Sequence, residues 1–201
     1  MPAPLPQGDQ KLVQIIDAAL ADAARRSGEW LVCKLGCTQC CVGVFAINRL
    51  DVLRLQHGLA ELERSDPARA ARVRDRAHAS IVRLQADFPG DPNTGILDES
   101  DKGAERFESF ANDEPCPALD PITGGCDLYA SRPMTCRVFG PPVRSEEGLG
   151  VCELCYHGAT EEEIAACEMP VDPDGLEAKL LEELGRSEPG GQTIVAFALT
   201  S

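Results

Sequence analysis

No apolar run in this 201-residue chain is long enough to span a bilayer. The stretch from Ile194 to Leu199 is typical, against the ~20 residues a membrane helix needs. Basic residues are scarce as well: 19 Lys and Arg stand against 33 Asp and Glu, for a formal net charge of −14. That balance argues against nucleic acid or an anionic membrane surface as a partner, because both require a basic footprint. Aromatic residues are few, with six Phe, two Tyr and one Trp, a modest supply of large core groups for this length. The opening MPAPLPQGDQK has neither the basic region nor the apolar stretch of a secretory signal, so a cytoplasmic location is expected. No Ser/His/Asp, phosphate-loop or paired-carboxylate constellation stands out, and the sequence names no reaction.

What the chain does have is a globular composition, 43% hydrophobic and 26% charged, and ten cysteines. The length fits a single domain over 1–201. In a reducing compartment many cysteines point to metal or redox chemistry rather than to disulfides. The acidity is uneven: residues 1–100 carry 12 basic against 13 acidic side chains, and residues 101–201 carry 7 against 20.

Apolar spacing predicts a first helix over 9–27, capped by Asp9 and ended by Gly28. A second helix is expected from Asn48 to Gly58. A third should open at Asp66-Pro67, cap followed by proline at the first helical position, and run to about Phe88. Its arginines at 69, 72, 74, 76 and 83 read as a solvated face among acids. Residues 89–98 are a turn-rich connector, followed by a short helix near 100–111. Thr160-Glu161-Glu162-Glu163 is a capping box, and Asp172-Pro173 opens a further helix ending near Gly185. Gln192 to Thr200 reads as a strand. The expected class is mainly α, with an irregular cysteine-rich metal-binding segment among helices and one short C-terminal strand within 160–201.

Nine of the ten cysteines fall into three groups: 33–41, 116–139 and 152–155. In Cys33-Lys-Leu-Gly-Cys37-Thr-Gln-Cys40-Cys41, thiolates three or four residues apart can turn toward one centre. Adjacent Cys40 and Cys41 cannot readily both face one small ion. The doublet therefore suggests either two nearby metals, or one ligand beside a buried or bridging thiol. Cys116, Cys126 and Cys136 sit among prolines and glycines, with Arg132 and Arg137 beside them either to offset thiolate charge or to pair at the surface. Cys152 and Cys155 have the two-residue spacing common at zinc and iron–sulfur sites. Cys167, without a partner on a predicted helix, reads as a buried structural thiol. His157 reads as a non-ligand beside the last pair, and His57 and His78 have no supporting arrangement.

These residues resemble a family. Cys33, Cys37, Cys40 and Cys41 carry the likeness first, then Cys116, Pro117, Leu119 and Asp120, then Cys126, Tyr129, Arg132, Pro133, Cys136 and Arg137. Together they look like the bacterial cysteine-cluster proteins known as the CxxCxxCC or YkgJ-like family, held to chelate zinc or iron. Cys33 to Cys37 has three intervening residues where the family name implies two. The spacing of Cys33, Cys37 and Cys40 also fits radical S-adenosylmethionine enzymes. Those usually place an aromatic residue where Gln39 stands, and they need a β/α barrel that the pattern lacks. The resemblance implies metal chelation. Three readings follow: an iron–sulfur cluster serving electron transfer or a redox partner protein; zinc in a structural or delivery role without catalysis; or a thiol–disulfide redox sensor. The candidate ligands are Cys33, Cys37, Cys40, Cys41, Cys116, Cys126, Cys136, Cys152 and Cys155, expected to converge on one site, a cluster, or two nearby sites.

Overall fold

The computed structural model describes residues 2–34, 36–145, 148–187 and 190–200; Met1 and Ser201, the ends of the expected domain, lie outside the described residues. Helices dominate: α1 (Asp9–Ser27), α2 (Arg49–Ser65), α3 (Pro67–Leu84), α4 (Asp101–Glu108), α5 (Met134–Val138), α6 (Glu161–Ala166), α7 (Leu176–Ser187) and α8 (Val195–Ala198). The strands are short and form two antiparallel hairpins, β1 (Gly90–Asp91) with β2 (Ile96–Leu97), and β3 (Val143–Ser145) with β4 (Gly148–Gly150). The protein is therefore mainly α, with its cysteine-rich stretches among helices. Among the described residues, no helix is long and apolar enough to cross a membrane.

The chain divides into two units, one of Met1–Leu5, Gly36–Pro133 and Leu184–Ser201, the other of Pro6–Leu35 and Met134–Glu183. In the first, α2 and α3 meet at Asp66. Its N–H closes α2 on the carbonyl of Leu62 at 2.7 Å, while its carboxylate accepts from Arg69 N at 3.0 Å and caps α3, satisfying a donor that the helix leaves orphaned. Val52, Leu55 and Leu59 pack with Ala70, Val73 and Ala77, and α8 lays Val195, Ala198 and Leu199 onto the same core. A second cluster gathers Leu84, Phe88, Leu97, Phe110, Ile194 and Ala196, with Phe88 and Phe110 edge to face at 5.8 Å.

Several boundaries differ from the sequence reading. Gly58 lies inside α2 rather than ending it: a Cβ there would come within 2.4 Å of Ser131 Oγ, so the glycine makes room for the turn at 129–131. Helix α3 stops at Leu84, because Phe88 leaves the helix for the aromatic cluster. The C-terminal strand is a correction. Only Thr193 makes a bridge, with Ile47, and Val195–Ala198 is helix. A half-buried strand would alternate in burial, but Ile194, Val195, Ala196, Ala198 and Leu199 are all buried. Enclosure on nearly every side suits a short helix of small residues better than a two-faced strand.

In the second unit, α1 buries Leu12, Ile16 and Ala23. Gly8, not Asp9, is its cap residue, and Asp9 sits in the first turn. Arg137 on α5 is 2% exposed and grips Asp17 of α1 through Nη1 at 2.8 and 3.0 Å. Arg26 reaches the carbonyls of Ala166, the last residue of α6, and of Glu168 beyond it. The capping box at Thr160 and Glu163 is formed on both sides.

Candidate metal centre

Cys41 and Cys116 stand 75 positions apart in sequence, yet they lie side by side in the first unit. Val42 and Pro115 form an isolated antiparallel bridge. Gly43 N–H donates to the carbonyl of Glu114 at 2.9 Å, and Cys116 N–H to that of Cys41 at 2.8 Å. The 116–127 segment then folds back on itself. Asp127 N–H donates to the carbonyl of Ala118 at 2.7 Å and Asp120 N–H to that of Gly125 at 2.8 Å. The Asp120 carboxylate holds the turn through Ile122 N–H at 3.0 Å and the Thr123 hydroxyl at 2.8 Å. At the far end Gly124, with φ +67°, comes so near Gly36 that a Cβ would be 3.2 Å from its Cα. Cys37 follows Gly36 and Cys126 follows two residues after Gly124. The first and second cysteine groups thus meet at two places, Cys41 with Cys116 and Gly36 with Gly124.

Burial and backbone amides act on several of these thiols in opposite directions. Burial pushes the Cys116 thiol up to about 11, opposed by the amides of Ala118 and Leu119, which point at its sulfur. Cys126 is also raised, first by burial, against the amide of Leu128 and the guanidinium groups of Arg132 and Arg69. Cys40 is raised because its thiol bonds that of Cys41, with burial adding to the effect. N–H groups aimed at sulfur favour the thiolate and are the outer contacts that metal-bound cysteines use.

The second unit holds Cys33, Cys136, Cys152, Cys155 and Cys167. Cys155 N–H closes a turn on the carbonyl of Cys152 at 2.9 Å. Burial and the neighbouring Cys152 thiol raise the Cys155 thiol, while the amides of Val32 and Cys33 point at its sulfur. Cys33 is exposed and Cys136 half-buried on α5. Gly140 brings the stretch after α5 against Cys33, whose Cβ is 3.9 Å from where a side chain at 140 would begin. Cys167 is 4% exposed and packs in one cluster with Cys155 and Tyr156. His157 is exposed.

None of the ten cysteines is in a disulfide. Among the described residues, no three His, Cys, Asp or Glu side chains are gathered closely enough to hold one ion. Cys40 contacts Cys41 and Cys155 contacts Cys152, and the raised Cys40, Cys116, Cys126 and Cys155 thiols disfavour the thiolate form that a bound metal requires. The donors nonetheless fit a thiophilic metal: sulfur ligands, backbone amides directed at three of them, and arginines near two.

Those arginines were the residues the sequence reading undervalued. Arg69, Arg76 and Arg83 recur every seven residues, which keeps them near one face of a helix, and that spacing was the available signal. Arg69 and Arg76 both bond the Asp127 carboxylate, and Arg76 Nε donates to the carbonyl of Pro117 at 2.8 Å. Arg83 clasps Glu114 with two bonds, at 3.2 and 2.6 Å. The α3 face is therefore a set of clamps on the cysteine segment, with Arg74 turned instead to Glu63. Arg132 is buried, lies 4.0 Å over the Tyr129 ring and acts on Cys126. Arg137 pairs with a carboxylate, as the alternative reading had it, but in a buried position.

A helical framework thus brings cysteine-bearing loops side by side in the first unit and points amides at their sulfurs. The chain belongs to the CxxCxxCC family, described as "putative zinc- or iron-chelating domain", which it matches over residues 32–156. Zinc or iron is thus the metal that the family description assigns to the domain. No curated protein and no solved structure matches the chain.

Proposed function

We propose that the thiols hold an iron–sulfur cluster and that the protein carries electrons or supports a redox partner protein. The ligand pool is Cys37, Cys40, Cys41, Cys116 and Cys126 in the first unit and Cys33, Cys136, Cys152 and Cys155 in the second, with Cys167 left as a packing thiol. One observation carries the reading. The first unit alone contributes five cysteines, enough for the four thiolates of a cluster, and two adjacent ones, Cys40 and Cys41, have thiols in contact. A cluster of several irons offers neighbouring metal atoms to such adjacent thiolates, which one small ion does not. When bound it would supply one-electron redox chemistry, its potential set by N–H···S bonds and burial. The chain's own part is to hold the sulfurs, direct the amides of Ala118, Leu119 and Leu128 at them, and offset their charge with Arg69, Arg76 and Arg132.

Zinc in a structural or delivery role is the second reading. It is favoured by the 112–133 stretch, which has almost no regular structure, so a metal would add folding free energy there. A thiol–disulfide sensor needs exposed thiols of low pKa, and Cys40, Cys116, Cys126 and Cys155 are shifted the other way. The test is anaerobic purification with metal analysis and a visible spectrum. Iron with broad absorption near ~400 nm supports the cluster. A colourless protein with stoichiometric zinc removes it in favour of the second reading, and a protein with all thiols free and no metal removes both.

A further inference from the structure

Asp127 is an odd neighbour for a metal ligand. It follows Cys126 directly, and its carboxylate disfavours a thiolate there. Its side chain is 2% exposed, and burying a carboxylate is costly unless it is well paired. The pairing is complete on both oxygens: Arg69 Nε bonds Oδ1 and Arg76 Nη2 bonds Oδ2. The same Arg76 holds the carbonyl of Pro117, the residue after Cys116. One guanidinium thus grips the residue following each of two cysteines, and the Asp127 N–H to Ala118 carbonyl bond ties the two strands of the loop together.

We propose that Asp127, fixed by Arg69 and Arg76, is a positioning residue that presets Cys116 and Cys126 as a pair onto which the metal closes. The proposal rests on metal binding by these thiols, and it makes the sign of one substitution diagnostic. If charge governed, Asp127→Asn would ease ionisation of Cys126 and tighten metal binding. If positioning governs, the same change loosens the loop and weakens binding, by the 10- to 100-fold (on the order of) that loss of an outer-shell partner costs.

The probe is cobalt(II) added to the reduced full chain, read by its thiolate charge-transfer bands. Affinity is taken from competition with a chelator at two pH values, and the helical circular dichroism signal is followed in parallel. The expected result is weaker binding and weaker charge-transfer bands in Asp127→Asn with helicity kept, and a smaller loss in the same direction in Arg69→Gln. Binding as tight as or tighter than wild type in Asp127→Asn overturns the proposal. If Asp127→Asn loses helicity, Arg69→Gln decides, since the Arg69 side chain is 41% exposed; unchanged cobalt affinity there overturns it equally. Absence of thiolate–cobalt bands in the wild type overturns instead the metal-binding reading beneath it, so the two failures are distinct.

Discussion

Replacing Gly124 with alanine tests how the first two cysteine groups are brought together. Gly124 has φ +67°, and an added Cβ would be 3.2 Å from Gly36 Cα and 3.6 Å from its carbonyl oxygen. Two costs follow. Holding alanine in the left-handed region costs about 1–2 kcal/mol, or roughly 2–8 °C in Tm for a chain of this size. The contact adds a second effect, because 3.2 Å is tighter than ordinary packing and the 36–37 backbone must retreat by a few tenths of an ångström. Metal–sulfur distances hold to within about 0.2 Å, so a shift of that size beside Cys37 should cost on the order of tenfold in metal affinity. Gly175 is the control: its φ of +61° imposes the same backbone penalty, but nothing lies within 4 Å of its would-be Cβ. Urea unfolding of both metal-free variants should show similar losses. A competition titration with cobalt or zinc should show weakened binding for Gly124→Ala alone. Equal metal affinities in the two variants would refute the close approach as a determinant of the site.

Three further outcomes are expected. Cys116 keeps its proton up to about pH 11 when folded, against 9.0 ordinarily. Its contribution to stability is therefore present below pH 9 and lost as pH rises from 9 to 11, by about 3 kcal/mol in the metal-free protein. Urea midpoints over that range should fall for the metal-free chain and fall much less for the metal-loaded one, whose thiolates are already ionised. Gly58→Ala, which in an open helix would gain about 1 kcal/mol, should instead destabilise by roughly 1–3 kcal/mol through overpacking on Ser131. Adding Ser131→Gly should restore the lost Tm. Thr160→Ala removes the capping box of α6 and should cost about 1 kcal/mol, read by thermal unfolding.

The helices were legible where local chemistry dictates them. Asp66-Pro67 and Thr160 with Glu163 act as caps where the sequence placed them. The cysteine groups and their family were legible because ligand spacing is a short-range pattern. What stayed hidden was long-range. Whether Gly58 ends a helix or receives Ser131 depends on a residue 73 positions away. The run from Ile194 reads as a strand by residue type, and only burial against α2 and α3 makes it helical. The bridge of Val42 to Pro115 lies between two segments with no shared pattern. The heptad spacing of Arg69, Arg76 and Arg83 was visible, but their carboxylate partners, Asp127 and Glu114, lie on the cysteine segment and not on the helix itself.

The central claim is that cysteines from the first and second groups ligate the same centre in the first unit. The most direct measurement compares anaerobically prepared Cys41→Ser and Cys116→Ser variants with wild type by metal and labile-sulfide content together with X-ray absorption. In wild type the account predicts iron in an all-sulfur environment with labile sulfide, and loss or rearrangement of that same signal in both variants. A wild-type metal held by nitrogen and oxygen would contradict it, as would a signal that either substitution leaves intact.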